Sequence, residues 1–217
     1  SQKINLVHIS SHYPPFVGGL EIVAKEVAEN LAKDGYNVLV LTSNLHAKES
    51  LKKEINRNLV VKRLSSFNFA NTTFIQTLFF HLIKVSKPAI FHLHLASAYV
   101  PEMVWLASKL RGIPYVVHFH LDVEPSGFFG PVFVLWKKII QSRIIKDASF
   151  VIALSPNQKR MIEGRYGVKE NKVVFIGNGV SDKYLDVGKE ERFFDGRIKL
   201  LFVGRISVQK RPERLVQ

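Results

Sequence analysis

The stretch Pro14-Pro15-Phe16-Val17-Gly18-Gly19-Leu20-Glu21 decides how the chain is read. Before it lies a mostly apolar run, Ile4 to Ile9, in which Val7 and Ile9 are β-branched. After it, Ile22, Val23, Val27, Ala28, Leu31 and Ala32 recur at steps of three and four residues, the period of a helix. The order is strand, tight glycine turn, helix. Two adjacent glycines let a ligand approach the backbone with no Cβ in the way. The first amides of a helix lack intrahelical acceptors and carry the positive end of its dipole. Together these features make an anion site. Glu21 falls in the first turn, where a carboxylate suits the dipole. A capped turn with no ligand fits the same local pattern, so the motif by itself leaves both readings open.

Composition narrows the classes. The chain has 217 residues, 47% of them hydrophobic, ample for the core of one large domain or one and a half. Cysteine is absent, which excludes disulfides, thiolate metal sites and a cysteine nucleophile, and fits a reducing compartment. We expect no signal peptide, because no charged-then-apolar leader with a small-residue cleavage site opens the sequence. No apolar run reaches about eighteen residues without a charge, so no transmembrane helix is expected. The net charge of +13, from 31 basic and 18 acidic residues, favours anionic partners: nucleic acid, an acidic membrane surface or phosphorylated substrates. The basic residues cluster loosely, at Lys48 to Arg57, Lys137 to Lys146 and Lys159 to Lys172, and read mostly as solvated faces.

Strands and helices alternate along the chain. Strands are expected near 4–9, 37–42, 59–64, 89–95, 115–119, 149–154 and 172–176. The helix after the glycine turn should run over 19–33 and stop at Gly35 as its C′ residue. The long loop 10–18 holds His12, and long loops in compact domains are often functional. Residues 44–58 read as a loop with a short strand or helical turn. Apolar spacing from Phe74 to Ile83 predicts a helix over 71–86, stopped by Pro88; further helices are expected over 98–110, 130–146 and 156–165. Ser155 reads as the cap of the last, with Gln158 at the capping-box position. His92 and His94 alternate on one strand and so share a face; they read as pocket-edge histidines or as half of a metal site with no third ligand evident. His120 falls at the carboxyl end of its strand, where open α/β sheets bind ligands.

About six strand–helix alternations predict a doubly wound parallel sheet, an α/β fold. Residues 1–180 form the first domain in this reading, 181–197 a linker, and 198–217 a strand and the opening of a helix that begin a second domain of the same kind.

Four segments then line up: "PPFVGGLEIVAKEVAENLAKDGYNVLVLT", "VVHFHLDVEPSG", "VVFIGNGVSDKY" and "LLFVGRISVQKRPERL". In this order they resemble the retaining glycosyltransferases of the GT-B fold, the group 1 or sucrose-synthase-like family. The resemblance covers the whole chain. It implies two Rossmann-like domains facing a cleft, with a nucleotide-diphosphate sugar held mainly by the second and an acceptor, saccharide, lipid or lipid-linked glycan, on the side of the first. It implies that Gly18 and Gly19 form the turn whose amide approaches the donor's distal phosphate. His120 corresponds to the histidine near the reacting sugar, and Asp122 keeps the His-x-Asp spacing. Arg205 and Lys210 correspond to the cations that neutralise the diphosphate, and Asn178 and Gly179 to a turn near the domain junction. With two cations in that place the resemblance implies no metal and no cofactor. The family's paired glutamates, which hold the donor sugar, would lie beyond Gln217, so the 217 residues alone are expected to transfer little or no sugar.

Two other classes fit less well. A nicotinamide-binding domain would need GxGxxG after the first strand and an acidic residue after the second, where Asn44 stands. A nucleic-acid module has charge in its favour and no recognition helix, aromatic-interleaved strand or zinc pattern. An anion-binding Rossmann module without catalysis is the remaining alternative. A membrane surface is compatible with the enzyme: Phe129, Phe133 and Trp136 lie beside Lys137, Lys138 and Arg143, and Phe79, Phe80 and Leu82 near Lys84 and Lys87, although helices that merely pack on the sheet have the same periodicity. The expected location is cytoplasmic, with peripheral contact to the inner face of the membrane.

Overall fold

The apolar run before the glycines forms β1 (Asn5–Ile9), and the glycine turn opens α1 (Gly19–Lys33) in a computed structural model that describes residues 4–47, 53–69, 72–122, 134–180, 196, 200–204 and 212–215. Gly18 caps α1 in an extended conformation, and Gly35, with φ of 91°, ends the turn beyond it, a conformation that favours glycine. One face of α1 carries Ala24, Ala28 and Ala32, spaced four apart and buried. These small side chains let the helix lie close against Val38, Val40, Leu59 and Val61.

Those residues belong to β2 (Asn37–Ser43) and β4 (Leu59–Leu64). Between them, β3 (Lys53–Asn56) pairs antiparallel with β4 at the sheet edge. The hairpin β5 (Ser66–Phe69) and β6 (Thr72–Ile75) follows, then the short α2 (Leu78–Ile83), β7 (Ala89–Leu95), α3 (Val100–Arg111) and β8 (Tyr115–Phe119). A π-helical turn, Lys137–Gln141, leads into α4 (Ser142–Asp147). β9 (Phe150–Ala153), α5 (Pro156–Tyr166) and β10 (Val173–Phe175) complete this part. The main sheet has eight strands in the order β10-β9-β8-β7-β1-β2-β4-β3, parallel throughout except for β3. The α/β doubly wound fold is therefore as the alternation predicts.

The larger core lies on the face opposite α1. Phe91, Leu93, Leu95, Val117 and Phe119 point into it and meet Leu78, Leu82, Val104 and Ala107 of α2 and α3. Burying each such side chain contributes roughly 1.5–3 kcal/mol. Ser155 caps α5 by accepting from the Gln158 amide at 3.1 Å, while Gln158 Oε1 accepts from the Leu154 amide at 2.6 Å.

Four local expectations are corrected. The helix over 71–86 is instead β6 plus the six-residue α2. Thr72, Thr73, Phe74 and Ile75 are β-branched or aromatic, and Phe74 pairs with Phe67, their rings stacked 5.2 Å apart. The described part of the expected helix 130–146 is π-helical over Lys137–Gln141, where Lys137 turns inward and is buried. Residues 200–203, expected within a strand, are not in one: Leu201 and Val203 are more than four-fifths exposed, and no described strand there offers them a ladder. The chain divides into two compact units, Ser1–Asn178 and Gly179–Gln217, and this last segment lies in the second. The described part of the expected terminal helix is a 3₁₀ turn, Pro212–Leu215.

Candidate functional site

Strand order places the site. From β1 the chain winds to β2 and β4 on one side, and β7 opens the run to β8, β9 and β10 on the other. The reversal falls between β1 and β7, and the crevice beyond their carboxyl ends is where open α/β sheets bind ligands.

Five imidazoles occupy this region. His8 sits opposite His92 and His94 opposite His118 in the strand register. Because alternate residues of a strand face opposite ways, the apolar residues of β1, β7 and β8 enter the larger core and the histidines take the other face. His120 follows directly after β8 on the same parity as His118. The rings stack: His118 and His120 centroids are 4.1 Å apart, His8 and His92 4.4 Å, His92 and His94 4.6 Å. His94 uses both nitrogens, Nε2 to His8 Nδ1 at 3.2 Å and Nδ1 to His120 Nε2 at 2.9 Å. His92 Nε2 meets His118 Nδ1 at 3.2 Å.

Burial keeps these rings neutral. It pushes His8 down to about 3, aided by the His118 ring, and His118 to about 4. His120 falls to about 3, again through burial first and His118 second. His92 and His94 lie well below the ordinary value for the same reason, with the neighbouring histidines adding to it. At neutral pH His120 therefore offers one donor and one acceptor, with no charge.

Asp122, two residues on, is held by three side chains. Its Oδ1 accepts from Lys137 Nζ at 2.5 Å and from the Tyr166 hydroxyl at 2.7 Å; its Oδ2 accepts from Arg165 Nη1 at 2.6 Å. The carboxylate thereby ties the segment after β8 to the π-helical turn and to the end of α5.

The glycine turn lies at the same edge of the sheet, at the end of the loop that follows β1. A Cβ on Gly18 would lie 2.1 Å from Glu21 Oε2, so the Glu21 carboxylate folds back over this residue, whereas a Cβ on Gly19 would meet nothing within 4 Å. Gly19 is thus open to solvent on that side. His12 braces the loop: Nδ1 meets Ser43 Oγ at 3.4 Å, Nε2 meets Thr73 Oγ1 at 3.2 Å, and the ring stacks on Phe16 at 4.6 Å. Burial, then His46, lowers its pKa. Ser11 and Ser97 hydroxyls, 3.3 Å apart, join the loops after β1 and β7. The Pro14–Pro15 peptide is cis, and Arg63 Nη2 donates to Pro14 O at 2.5 Å.

The loop after β7 holds a strained residue. Tyr99 has φ of 74° and ψ of −57°, and the Val100 amide bonds to Ala98 O at 3.1 Å. That is a γ-turn of the rare, strained kind, and such backbone clusters at ligand sites. The Tyr99 hydroxyl donates to Ile75 O at 3.1 Å, which anchors the turn.

Of the other residues named from sequence, Asn178 and Gly179 are exposed beyond β10. Arg205 and Lys210 lie outside the described residues. Sequence reading missed His8 and passed over His118. Their signal was parity: each sits on the same face as His92, His94 or His120 once the strands are aligned. Nothing in the sequence marks Tyr99. A pocket of about 470 Å³, lined by Asn5, Asn37, Asn58 and Lys84 among others, opens at the amino ends of the strands, away from this site.

A parallel sheet with its ligand crevice at a topological switch point, entered by a glycine turn, defines a Rossmann-like domain of the GT-B type. The chain belongs to glycosyltransferase family 4, whose model matches residues 17–184. Solved structures share the fold. A glycosyltransferase from Rickettsia africae is 19% identical, over 86% of this chain and 46% of that one, with a TM-score of 0.57. Sucrose-phosphate synthase from Thermosynechococcus elongatus is 18% identical, over 83% and 49%, with a TM-score of 0.58. HepE from Anabaena in complex with UDP-glucose is 15% identical, over 83% and 45%, with a TM-score of 0.58. The chain thus spans about half the length of these structures. No curated protein matches its sequence significantly.

Proposed function

We propose that this chain is the acceptor-side domain of a retaining glycosyltransferase of the group 1 type, moving a hexose from a nucleotide-diphosphate sugar to a saccharide, lipid or lipid-linked acceptor. The observation that carries the reading is the glycine turn that opens α1 after the β1 loop, with Gly19 exposed and nothing within 4 Å of where its Cβ would stand, while His120 follows directly after β8. Breaking a sugar–phosphate bond leaves negative charge on the diphosphate. Amides at the start of α1 supply dipoles toward it, and Arg205 and Lys210 supply charge-assisted contacts. Diphosphate departure in this scheme uses those two cations and no metal or cofactor. His120, neutral, orients the reacting sugar by hydrogen bonding. Asp122 acts through position, by fixing the segment that carries His120. Asn178 and Gly179 serve the junction between domains.

HepE has been solved with UDP-glucose, which makes uridine diphosphate sugars the first donors to try. The 217 residues alone, about half the length of the similar structures, are expected to bind donor weakly and to transfer none. An anionic membrane surface is the proposed site of action: of the patch expected from sequence, Phe129 and Phe133 lie outside the described residues and Lys137 is buried, but Val134, Leu135, Ile139 and Ile140 are exposed beside Lys138 and Arg143. The alternative patch on α2 has less support, since Leu82 is buried in the core. Among the described residues no helix is long and apolar enough to cross a membrane.

The test uses the full-length gene product that contains these residues. It is incubated with UDP-, GDP- and ADP-sugars while nucleotide diphosphate release is followed, with His120→Ala alongside. Release with one donor, lost in the variant, supports the reading. No release with any donor, with and without lipid and saccharide acceptors, overturns it.

A further inference from the structure

We infer that His94, backed by His8, is a positioning residue: it fixes the tautomer of His120, so that the nitrogen left for the reacting sugar, Nδ1, carries the proton and donates a hydrogen bond to a sugar oxygen. This deepens the transferase reading of His120 and rests on it. His8, His94 and His120 form one chain of hydrogen bonds, from His8 Nδ1 to His94 Nε2 at 3.2 Å and from His94 Nδ1 to His120 Nε2 at 2.9 Å. The rings come from β1, from β7 and from the residue directly after β8, three adjacent strands, so the chain leads from inside the sheet toward the ligand crevice.

Counting protons gives the direction. A neutral imidazole has one N–H and one lone pair. In a chain of such rings every bond must run the same way, so only two arrangements exist. In the first, His8 Nδ1–H donates to His94 Nε2 and His94 Nδ1–H donates to His120 Nε2, which leaves the His120 proton on Nδ1. In the second every proton is reversed, and His8 carries its own on Nε2. The inner end decides between them. His8 is 1% exposed, and its Nε2 is buried with no hydrogen-bond partner among the described residues. A buried N–H without an acceptor is rarer in folded proteins than an unused acceptor. The bare nitrogen therefore belongs at His8 Nε2, and the first arrangement holds. His118 obeys the same rule: its Nε2 is buried and unpartnered among the described residues, so its proton sits on Nδ1, which donates to His92 Nε2 at 3.2 Å.

At the outer end His120 is half-buried, and its Nδ1 has no hydrogen-bond partner among the described residues. His118 stacks on its ring at 4.1 Å and His94 at 5.2 Å. Stacking fixes the plane of the ring, and the 2.9 Å bond fixes Nε2 inward. A hydroxyl or ring oxygen of a sugar accepts from the remaining N–H, whereas the proton of a sugar hydroxyl finds no acceptor on this ring. A donor set in advance needs no reorganisation when the sugar arrives, and its bond strengthens toward an oxygen that gains negative charge. Without His94 the proton would be shared between the two nitrogens, and part of the enzyme would present a lone pair to the same oxygen.

The test uses the full-length gene product with ¹⁵N-labelled histidine rings and reads each tautomer by long-range ¹H–¹⁵N correlation at neutral pH, without substrate. His8, His94 and His120 should all be protonated at Nδ1, the form that free neutral histidine populates less; this spectrum of the parent needs no variant to fold. His94→Leu and His94→Asn have side chains of the same shape, but only asparagine places an N–H near the position of Nδ1. His120 should keep its Nδ1 proton in the asparagine variant and lose that preference in the leucine variant. In sugar transfer, kcat/KM should fall about tenfold in His94→Leu and by less in His94→Asn. A purely structural role would change stability and leave the His120 tautomer as it is. A parent His120 protonated at Nε2, an Nδ1 proton that persists in His94→Leu, or equal kinetics of parent and His94→Leu would each overturn the proposal. Because the tautomers are read with no donor present, a parent that transfers nothing refutes the transferase reading, and with it the sugar contact, while the spectrum still decides the direction of the chain.

Discussion

Replacing Asp122 by alanine distinguishes an anchoring carboxylate from a reacting one. The side chain is 12% exposed and that of its partner Lys137 10%, so this ion pair is largely out of water. Opening a buried pair from one side costs about 3–5 kcal/mol. Arg165 is nearly half exposed, and its share is small because solvent screens it. We therefore expect a loss of about 3 kcal/mol, the lower end of that range. For a domain of this size, that corresponds to a fall in Tm of roughly 6–12 °C. The assay is thermal unfolding by circular dichroism at neutral pH, with Lys137→Met and the double variant completing a cycle. Coupling above about 1 kcal/mol between the two positions is the signature of a direct pair. A Tm within 2 °C of the parent, together with lost sugar transfer in the full-length enzyme, would refute the anchoring role and return Asp122 to the reacting centre.

Other expectations follow from the same geometry. Gly19→Ala should leave Tm unchanged, since its methyl meets nothing within 4 Å, yet lower kcat/KM of the full-length enzyme about tenfold if the Gly19 amide approaches phosphate; unchanged kinetics would remove the anion site. Ala28→Leu should destabilise by about 1–3 kcal/mol through overpacking of α1 on the sheet, read by urea unfolding, and a neutral result would mean that α1 is free to move outward. His12 has a lowered pKa in the folded state, so its contribution to stability is complete above pH 6.5 and is lost as pH falls below that; NMR titration of its ring should give a value below 6.5, and one at or above it would contradict the burial argument. Sedimentation with anionic liposomes should weaken severalfold in Leu135→Ser/Ile139→Ser, and indifference to both lipid charge and these changes would dismiss the membrane surface.

The strands and the first helix were legible because period and punctuation agreed. α1 runs over the predicted Gly19–Lys33, and β4, β7 and β8 have their predicted limits, each carrying apolar residues at alternate positions over a strand's length. Reading failed at 71–86, where Leu78 and Leu82 keep a helical step while Thr72 to Ile75 pair with another strand. A four-residue apolar run has no period of its own, so its partner decides its state. At Leu200 to Val203 the composition suits a strand, and the same rule applies in reverse.

The sequence by itself determined the alternation that makes a parallel sheet, the position of the glycine turn, and the placing of His120 at a strand end, since each depends on neighbours within a few residues. Only the tertiary structure decided strand order, and with it the reversal between β1 and β7. It brought His8 within hydrogen-bonding reach of His94 and His118 within reach of His92, joining three distant segments, and it put Lys137, Arg165 and Tyr166 around Asp122. A side chain's electrostatics depend on what surrounds it in space. The neutrality of the histidines and the anchoring of the aspartate therefore became visible only when burial and register were known.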